Sequence, residues 1–304
     1  MKQKNPFLYR ISQFLGFLLG ARFFVAVLVT FALYVSTFFL FAHEESLRSF
    51  VFDFKVHGII ACAVMSILAG GIINQFYDRE KDEIVQPFRF KLQAFLKQKY
   101  FLYAYLALVV LSLVLASILS VRVFIFFGIY QFFMWFYSHK LSKVLILNNI
   151  TFVVLTLYPF FGMLVYYQTF SFTIFWMALF LFLILLVVDI LKDILTMKVD
   201  QLYDYHTLST TFGITRARNI VIVLCCILLA LSVIIAGKWN YSGLLAYYYL
   251  LSTLILTVTI VVLAYGNARR DYTSLTLIRL WIFIGIWSML IYGIQVRFPN
   301  FLSF

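Results

Sequence analysis

Two stretches of this sequence hold residue types that could do chemistry together. The first, residues 74–89, reads Asn-Gln-Phe-Tyr-Asp-Arg-Glu-Lys-Asp-Glu-Ile-Val-Gln-Pro-Phe-Arg and directly follows a long apolar run. Asn74, Asp78 and Asp82 recur every four residues. At about 100° per residue this spacing predicts one helical stripe that drifts by only ~40° per step. The second, residues 189–200, reads Asp-Ile-Leu-Lys-Asp-Ile-Leu-Thr-Met-Lys-Val-Asp and ends another apolar run. Its Asp189, Asp193 and Asp200 also share a helical face. Carboxylates at a membrane helix end are costly unless solvated, paired or bound to metal. One reading is a solvated loop in which Asp78 pairs with Arg79 and Asp82 with Lys81. The other is a cation site. Mg²⁺ is satisfied by one or two carboxylates, waters and substrate phosphates, so a sparse cluster suffices to hold a metal-chelated diphosphate. The interleaved Lys and Arg would neutralise the charge of a phosphate leaving group.

A third stretch, from Tyr137 to Asn149, reads Tyr-Ser-His-Lys-Leu-Ser-Lys-Val-Leu-Ile-Leu-Asn-Asn. Lys140 and Lys143 fit either membrane-surface anchoring or anion contact. Asn148 and Asn149 open a membrane helix, where unpaired amides are expensive; they cap that helix or face a polar cavity. Asp189 falls at the edge of an apolar run, and its nearest partners are Lys192 or a metal. The other residue types offer less. The histidines His43, His57, His139 and His206 are scattered without ligand spacing, and Cys62, Cys225 and Cys226 lie inside apolar runs as packing residues. Among the 36 Phe and 20 Tyr, most face lipid or pack, and a minority could line a pocket and stabilise a cation.

The elements that must position these residues are membrane helices. The chain is 64% hydrophobic and 12% charged over 304 residues, too apolar for a water-soluble fold. The net charge of +12 reflects basic loops on one membrane side rather than nucleic-acid binding. Nine apolar runs are long enough to span, at roughly 22–42, 56–77, 101–120, 121–137, 146–167, 170–191, 219–237, 244–265 and 276–295. Backbone groups in hydrocarbon must be paired within the segment, so the runs are helices and the fold is an all-α polytopic membrane protein. Residues 1–21 form a cytoplasmic or interfacial lead-in, too polar at the start for a signal peptide, and 78–100 and 192–218 are expected to be cytoplasmic loops of a single domain. With the N-terminus inside, inner segments hold 17 Lys and Arg and outer segments hold 5, which predicts N-in, C-out and both acidic clusters facing the cytoplasm.

Residues 74–89 resemble the first Asp-rich motif of the UbiA superfamily of intramembrane prenyltransferases, Asn-Asp-x-x-Asp-x-x-x-Asp with a downstream Pro and Arg. Asn74, Asp78, Asp82, Pro87 and Arg89 match, and Gln75 replaces the usual first Asp. Tyr137-Ser with Lys140, Leu141, Lys143 and Asn148 is similar to the segment after the family's fourth helix. Residues 189–200 resemble the second motif, Glu-x-x-Lys-Asp-x-x-Asp-x-x-Gly-Asp. Asp189, Lys192, Asp193 and Asp200 match, Asp189 stands for Glu, and Thr196 and Val199 replace Asp and Gly. Thr207-Leu208 with Gly213 is like the family's Thr-Leu-Pro…Gly, with Ser209 at the Pro position.

The resemblance implies two helical bundles around a central cavity capped by the motif loops. It implies transfer of a prenyl group from a polyprenyl diphosphate to a lipophilic or aromatic acceptor, with Mg²⁺ as cofactor and membrane lipids as surroundings. Asp78, Asp82, Asp189, Asp193 and Asp200 are then the metal residues, and Asp78, Asp82, Asp193 and Asp200 the catalytic ones. Asn74, Arg89, Lys140, Lys192, Tyr137 and Asn148 would contact the diphosphate. Gln75 and Thr196 motivate an alternative, a prenyl-lipid-binding relative without turnover. A transporter would instead be expected to show broken helices or mid-membrane charges.

Overall fold

The computed structural model describes residues 6–42 and 45–298. Lys2 and Lys4 of the basic count, and His43, lie outside them. The described residues contain no strand, and nine of their helices are long and apolar enough to cross a membrane, closely tracking the nine apolar runs. The chain divides into two compact units, residues 1–34 with 45–142, and residues 35–44 with 143–304.

In the first unit, α1 (Pro6–Gly20) is followed by a corner at Ala21–Arg22 and by α2 (Phe23–Ser36). A short helix α3 (Leu47–Val51) precedes α4 (Phe54–Tyr77), which packs on α7 (Gln98–Leu119) and α8 (Val121–His139). With no apolar solvent gradient between helices in lipid, small residues and buried hydrogen bonds hold them. Here Ser66 Oγ and Ser112 Oγ both reach the Cys62 carbonyl, and Gln131 Nε2 donates to Ser66 Oγ at 3.0 Å. The α1–α2 corner sits hard against α4. A side chain on Gly71 would place its Cβ 2.7 Å from the Ala21 carbonyl oxygen.

The stretch 78–100, expected to be a loop, contains two short helices, α5 (Arg79–Val85) and α6 (Pro87–Gln93). Asp78 interrupts the helical stripe read from Asn74 to Asp82: it sits at φ −91°, ψ 10°, capping α4 and starting α5. Gln86 precedes a proline, is thereby kept out of the helical region, and separates α5 from α6.

In the second unit, α9 (Leu147–Tyr167) and α10 (Phe172–Leu202) lead through α11 (Leu208–Phe212) to α12 (Ile214–Gly237), α13 (Leu244–Ala264) and α14 (Ala268–Arg297). Its core interleaves Ile184, Val187 and Leu191 of α10 with Val221 and Leu228 of α12, Leu256 of α13 and Ile278 of α14. Arg218 grips Asp271 through two bonds of 2.9 and 2.8 Å, tying α12 to α14. The stretch 192–218 is therefore helix as far as Leu202 rather than loop, because no Gly or Pro interrupts α10. At 1.5 Å per residue, α10's 31 residues span about 46 Å, against a hydrocarbon core of ~30 Å. For a helix entering the bilayer at Phe172, Asp189 lies about 26 Å along it, Asp193 about 32 Å and Asp200 about 42 Å. The over-long helix thus carries Asp193 and Asp200 past the hydrocarbon without a break and leaves Asp189 near its edge.

Candidate functional site

The first cluster gathers around the end of α4. Asn74 Nδ2 donates to Asp78 Oδ2 at 2.8 Å, and the Asp82 amide donates to the Asp78 carbonyl at 2.8 Å. Asp82 is buried, and its Oδ2 accepts no hydrogen bond. Burial pushes its carboxyl above the ordinary carboxylate range; the Arg89 charge opposes this, and Asp78 reinforces it. Arg89 arrives on α6. Its Nη1 donates to Gln86 Oε1 at 3.1 Å, but its Nε and Nη2 are buried and donate to nothing. Burial pulls the guanidinium below its usual range, and the nearby Arg22 adds to the effect. Arg79 Nη1 reaches Gln98 Oε1 at 2.7 Å.

Arg22 opens the first apolar run, 22–42. It occupies the α1–α2 corner with φ 51°, a left-handed conformation that costs a non-glycine residue roughly 1 kcal/mol or more. Its charge acts on both Asp82 and Arg89. Gln75 is a different matter. It is buried and turned away from Asp78, its Nε2 donating to Gln93 Oε1 at 2.6 Å, and its Oε1 fills the space a side chain on Gly20 would need. The residue at the family's first Asp position here is a packing amide. At the end of α8, Tyr137 is half-buried and Lys140 is exposed. The neighbouring His139 stacks on Trp135 with 5.3 Å between ring centroids.

The second cluster joins α9 to α10. Asn149 Nδ2 donates to Asp189 Oδ2 and to Asp193 Oδ2, each at 2.8 Å, and Asn148 Nδ2 lies 3.4 Å from Asp193 Oδ2. All four side chains are buried. The Oδ1 atoms of Asn148, Asn149 and Asp189 accept no hydrogen bond. Lys192 Nζ stands 3.5 Å from Asp189 Oδ1, an ion pair too poorly aimed to count as a hydrogen bond, and lies over the Phe152 ring. Asp200, fully buried, accepts from Thr196 Oγ1 at 2.7 Å, so the hydroxyl at the altered motif position engages the carboxylate one turn on. Ser209 Oγ donates to the Asp193 carbonyl at 2.9 Å. Lys143 lies over the Tyr205 ring, its Nζ 3.4 Å from the Tyr203 carbonyl. Just before the paired asparagines, Ile146 sits at φ 67°. A β-branched residue there is a true outlier, and such strain is held by surrounding packing at sites with a task.

Among the candidate residues, Asn74 meets Asp78, and Asp189, Asp193, Asn148 and Lys192 meet one another. Asp200 stands two turns beyond Asp193. Asn149 and Arg22 were missed as site residues; the only cues were adjacent amides at a span start and an arginine at a span end. Among the described residues, no three His, Cys, Asp or Glu side chains come close enough to ligate one ion by themselves. The donor set nevertheless fits Mg²⁺. It is all oxygen, several buried oxygens accept nothing, and Mg²⁺ is commonly completed by substrate phosphates and water.

Carboxylates, amides and cations thus gather at the helix ends of a polytopic helical membrane protein. The chain belongs to the UbiA prenyltransferase family, whose model matches residues 35–285, and its enzyme class is accordingly that of the prenyltransferases. It is 27% identical over 206 residues to a digeranylgeranylglyceryl phosphate synthase of Methanosphaera stadtmanae, covering 67% of this chain and 73% of the relative. Its fold is similar to a solved digeranylgeranylglyceryl phosphate synthase, with a TM-score of 0.67 and 18% identity, covering 92% of this chain and 98% of the other. It is also similar to a UbiA homologue from Archaeoglobus fulgidus bound to DMAPP and Mg²⁺, with a TM-score of 0.63 and 14% identity, over 90% and 98% of the two chains.

Proposed function

We propose that this protein transfers a prenyl group from a polyprenyl diphosphate to a lipophilic acceptor, that the transfer depends on Mg²⁺, and that its chemistry faces the cytoplasm with the N-terminus inside and the C-terminus opposite. The single observation that carries the reading is the bridge by which Asn149 holds Asp189 and Asp193 together, leaving buried oxygens without hydrogen donors. A bridge of this kind keeps two carboxylates poised for a cation. The bound DMAPP and Mg²⁺ in the Archaeoglobus homologue support the donor and the metal. The synthase relatives favour a glycerol-phosphate lipid over an aromatic ring as acceptor.

In the reaction, the allylic carbon–oxygen bond breaks, and the diphosphate leaves with the electron pair. The acceptor's nucleophilic atom forms the new bond to that carbon and gives up its proton. Asp78 and Asp82 in the first unit, and Asp189, Asp193 and Asp200 in the second, would hold Mg²⁺, which would supply positive charge against the departing diphosphate. Lys192 and Arg89 contact phosphate oxygens, with Lys140, Tyr137, Asn74 and Asn148 as further contacts. Asn149 and Thr196 orient the carboxylates. Positioning and preorganised charge do most of the work.

The test is prenyl transfer in membranes supplied with geranylgeranyl diphosphate and a glycerol-phosphate lipid. Asp78→Asn and Asp193→Asn each abolish transfer at an unchanged amount of protein. Full activity in both variants refutes the metal assignment. Mass spectrometry of lipids that copurify with the protein would identify the acceptor directly.

A further inference from the structure

The chain that leaves α10 turns back along it. The Tyr205 amide donates to the Asp200 carbonyl at 3.0 Å, the His206 amide to the Lys143 carbonyl at 3.1 Å, and Ser209 Oγ to the Asp193 carbonyl at 2.9 Å. Residues 203–210 therefore grip α10 at points about two turns apart, and they also hold the turn that leads into α9. Both grips on α10 fall on residues that carry carboxylates of the second cluster.

The grip on Asp193 runs through hydroxyls in one direction. A carbonyl only accepts, so the single hydroxyl proton of Ser209 is committed to Asp193. The Ser209 oxygen, 2.9 Å from Thr207 Oγ1, then accepts from Thr207. Thr207 Oγ1 in turn accepts from the Thr210 amide at 3.2 Å and caps α11. The Thr210 side chain completes that cap: its Oγ1 accepts from the Thr207 amide at 2.8 Å and donates to the Tyr205 carbonyl at 2.9 Å. Thr207 and Ser209 are fully buried. A buried chain of hydroxyls that satisfy one another stiffens whatever it is tied to.

Asp193 is thus held from two different helices. Asn149 on α9 takes its carboxylate at 2.8 Å, and Ser209 on α11 takes its main chain. The first hold sets where the side chain points. The second sets where the turn that bears it stands. We infer that Ser209, with Thr207 behind it, is a positioning residue for Asp193 as a Mg²⁺ carboxylate. This rests on the prenyl-transfer reading and the metal roles given with it. Mg²⁺ tolerates little departure from octahedral geometry, so a helix turn free to shift weakens the hold on the ion. Groups that orient metal ligands contribute about 10- to 100-fold in metal affinity; Ser209 acts on the main chain rather than the carboxylate, and belongs at the lower end. Ser209 stands at the Pro position of the family motif, and proline has no hydroxyl, so this hold is particular to the present sequence.

The experiment uses the full chain and takes two readouts. One is the Mg²⁺ concentration that gives half of the thermal shift in detergent, with no substrate present. The other is the Mg²⁺ dependence of prenyl transfer from geranylgeranyl diphosphate to a glycerol-phosphate lipid in nanodiscs. Ser209→Ala raises both half-saturating Mg²⁺ concentrations about 10-fold and leaves KM for the donor at saturating Mg²⁺ little changed. Ser209→Thr, which keeps the hydroxyl, recovers part of the loss. Thr210→Val is the control for a merely structural role: it breaks the cap and lowers the melting midpoint, yet keeps the Mg²⁺ dependence of the wild type. Should Ser209→Ala fail to fold, Ser209→Cys decides, since it keeps the shape and weakens the donor; it shifts the Mg²⁺ dependence in the same direction. Wild-type Mg²⁺ dependence in the folded Ser209 variants overturns the inference and leaves prenyl transfer standing. An equal shift in Thr210→Val and Ser209→Ala also overturns it, because the cap rather than the Asp193 bond would then be responsible. If the wild type turns over no prenyl diphosphate at any Mg²⁺ concentration, the function falls and this inference with it.

Discussion

Replacing Asn149 by alanine is the sharpest perturbation of the second cluster. The amide donates two hydrogen bonds of 2.8 Å to carboxylates that are otherwise side by side in a buried setting. Hydrogen bonds to charged groups contribute about 1.5–3 kcal/mol each, so the gross loss is about 3–6 kcal/mol. In the variant one aspartate can take up a proton and donate it to the other, recovering one bond and leaving a net loss of about 1.5–3 kcal/mol. For a unit of this size the unfolding midpoint should fall by roughly 3–12 °C. Asn149→Asp goes further: it exchanges the bridging donor for a third carboxylate and should unfold below Asn149→Ala when Mg²⁺ is absent. Saturating Mg²⁺ should bring it back above the alanine variant, because three carboxylates bind the cation better than two. Scanning fluorimetry in detergent, with and without Mg²⁺, reads both effects. Two variants that melt with the wild type would show that Asn149 does not hold the pair. An Asn149→Asp protein that stays lowest at every Mg²⁺ concentration would show that the cluster is not a cation site.

Other expectations concern the departures from the family motif and the first cluster. Gln75→Asp, which restores the motif letter, should lower stability by about 1–3 kcal/mol or more without strengthening Mg²⁺ binding, since it strands Gln93 and buries a charge away from Asp78; titration calorimetry and fluorimetry together check it. Thr196→Asp should do the reverse, lowering the Mg²⁺ concentration for half-maximal transfer several-fold while destabilising the metal-free protein, because it places a carboxylate one turn from Asp200. Asp82 should make metal-free stability depend on pH. Folding raises its pKa, so the native state holds the proton more tightly; that stability is present below the ordinary carboxylate range and is lost as pH rises through the raised value. Melting midpoints should therefore decline across that window, with Asp82→Asn flattening the slope, and Mg²⁺ affinity should climb over the same window because the ion needs the deprotonated form.

Much of the fold was legible because lipid leaves the backbone few choices. Among the described residues the nine apolar runs lie in nine helices long enough to span, and α10's excess length followed from an unbroken stretch without Gly or Pro. Both acidic motifs were legible because each is local: Asn74 does meet Asp78, and Lys192 does meet Asp189, one helical turn apart. The errors were errors of continuity and of facing. Residues 192–202 carry the charge expected of a loop, yet a helix continues past the hydrocarbon as readily as it ends. The stripe from Asn74 to Asp82 assumed a straight helix, and Asp78 bends it.

By itself, then, the amino-acid order settled that this is a helical membrane protein with two carboxylate groups at span ends, since hydrophobic length and four-residue spacing are properties of a segment alone. Tertiary packing decided which side chains those carboxylates meet. Asn149 reaches across 40 and 44 positions of chain to Asp189 and Asp193, Gln75 turns to Gln93 instead of the motif, and Arg22 is set at a corner that Gly71 leaves room for. A hydrogen bond between distant residues depends on where two helices are pressed together, and periodicity within either helix carries no record of that.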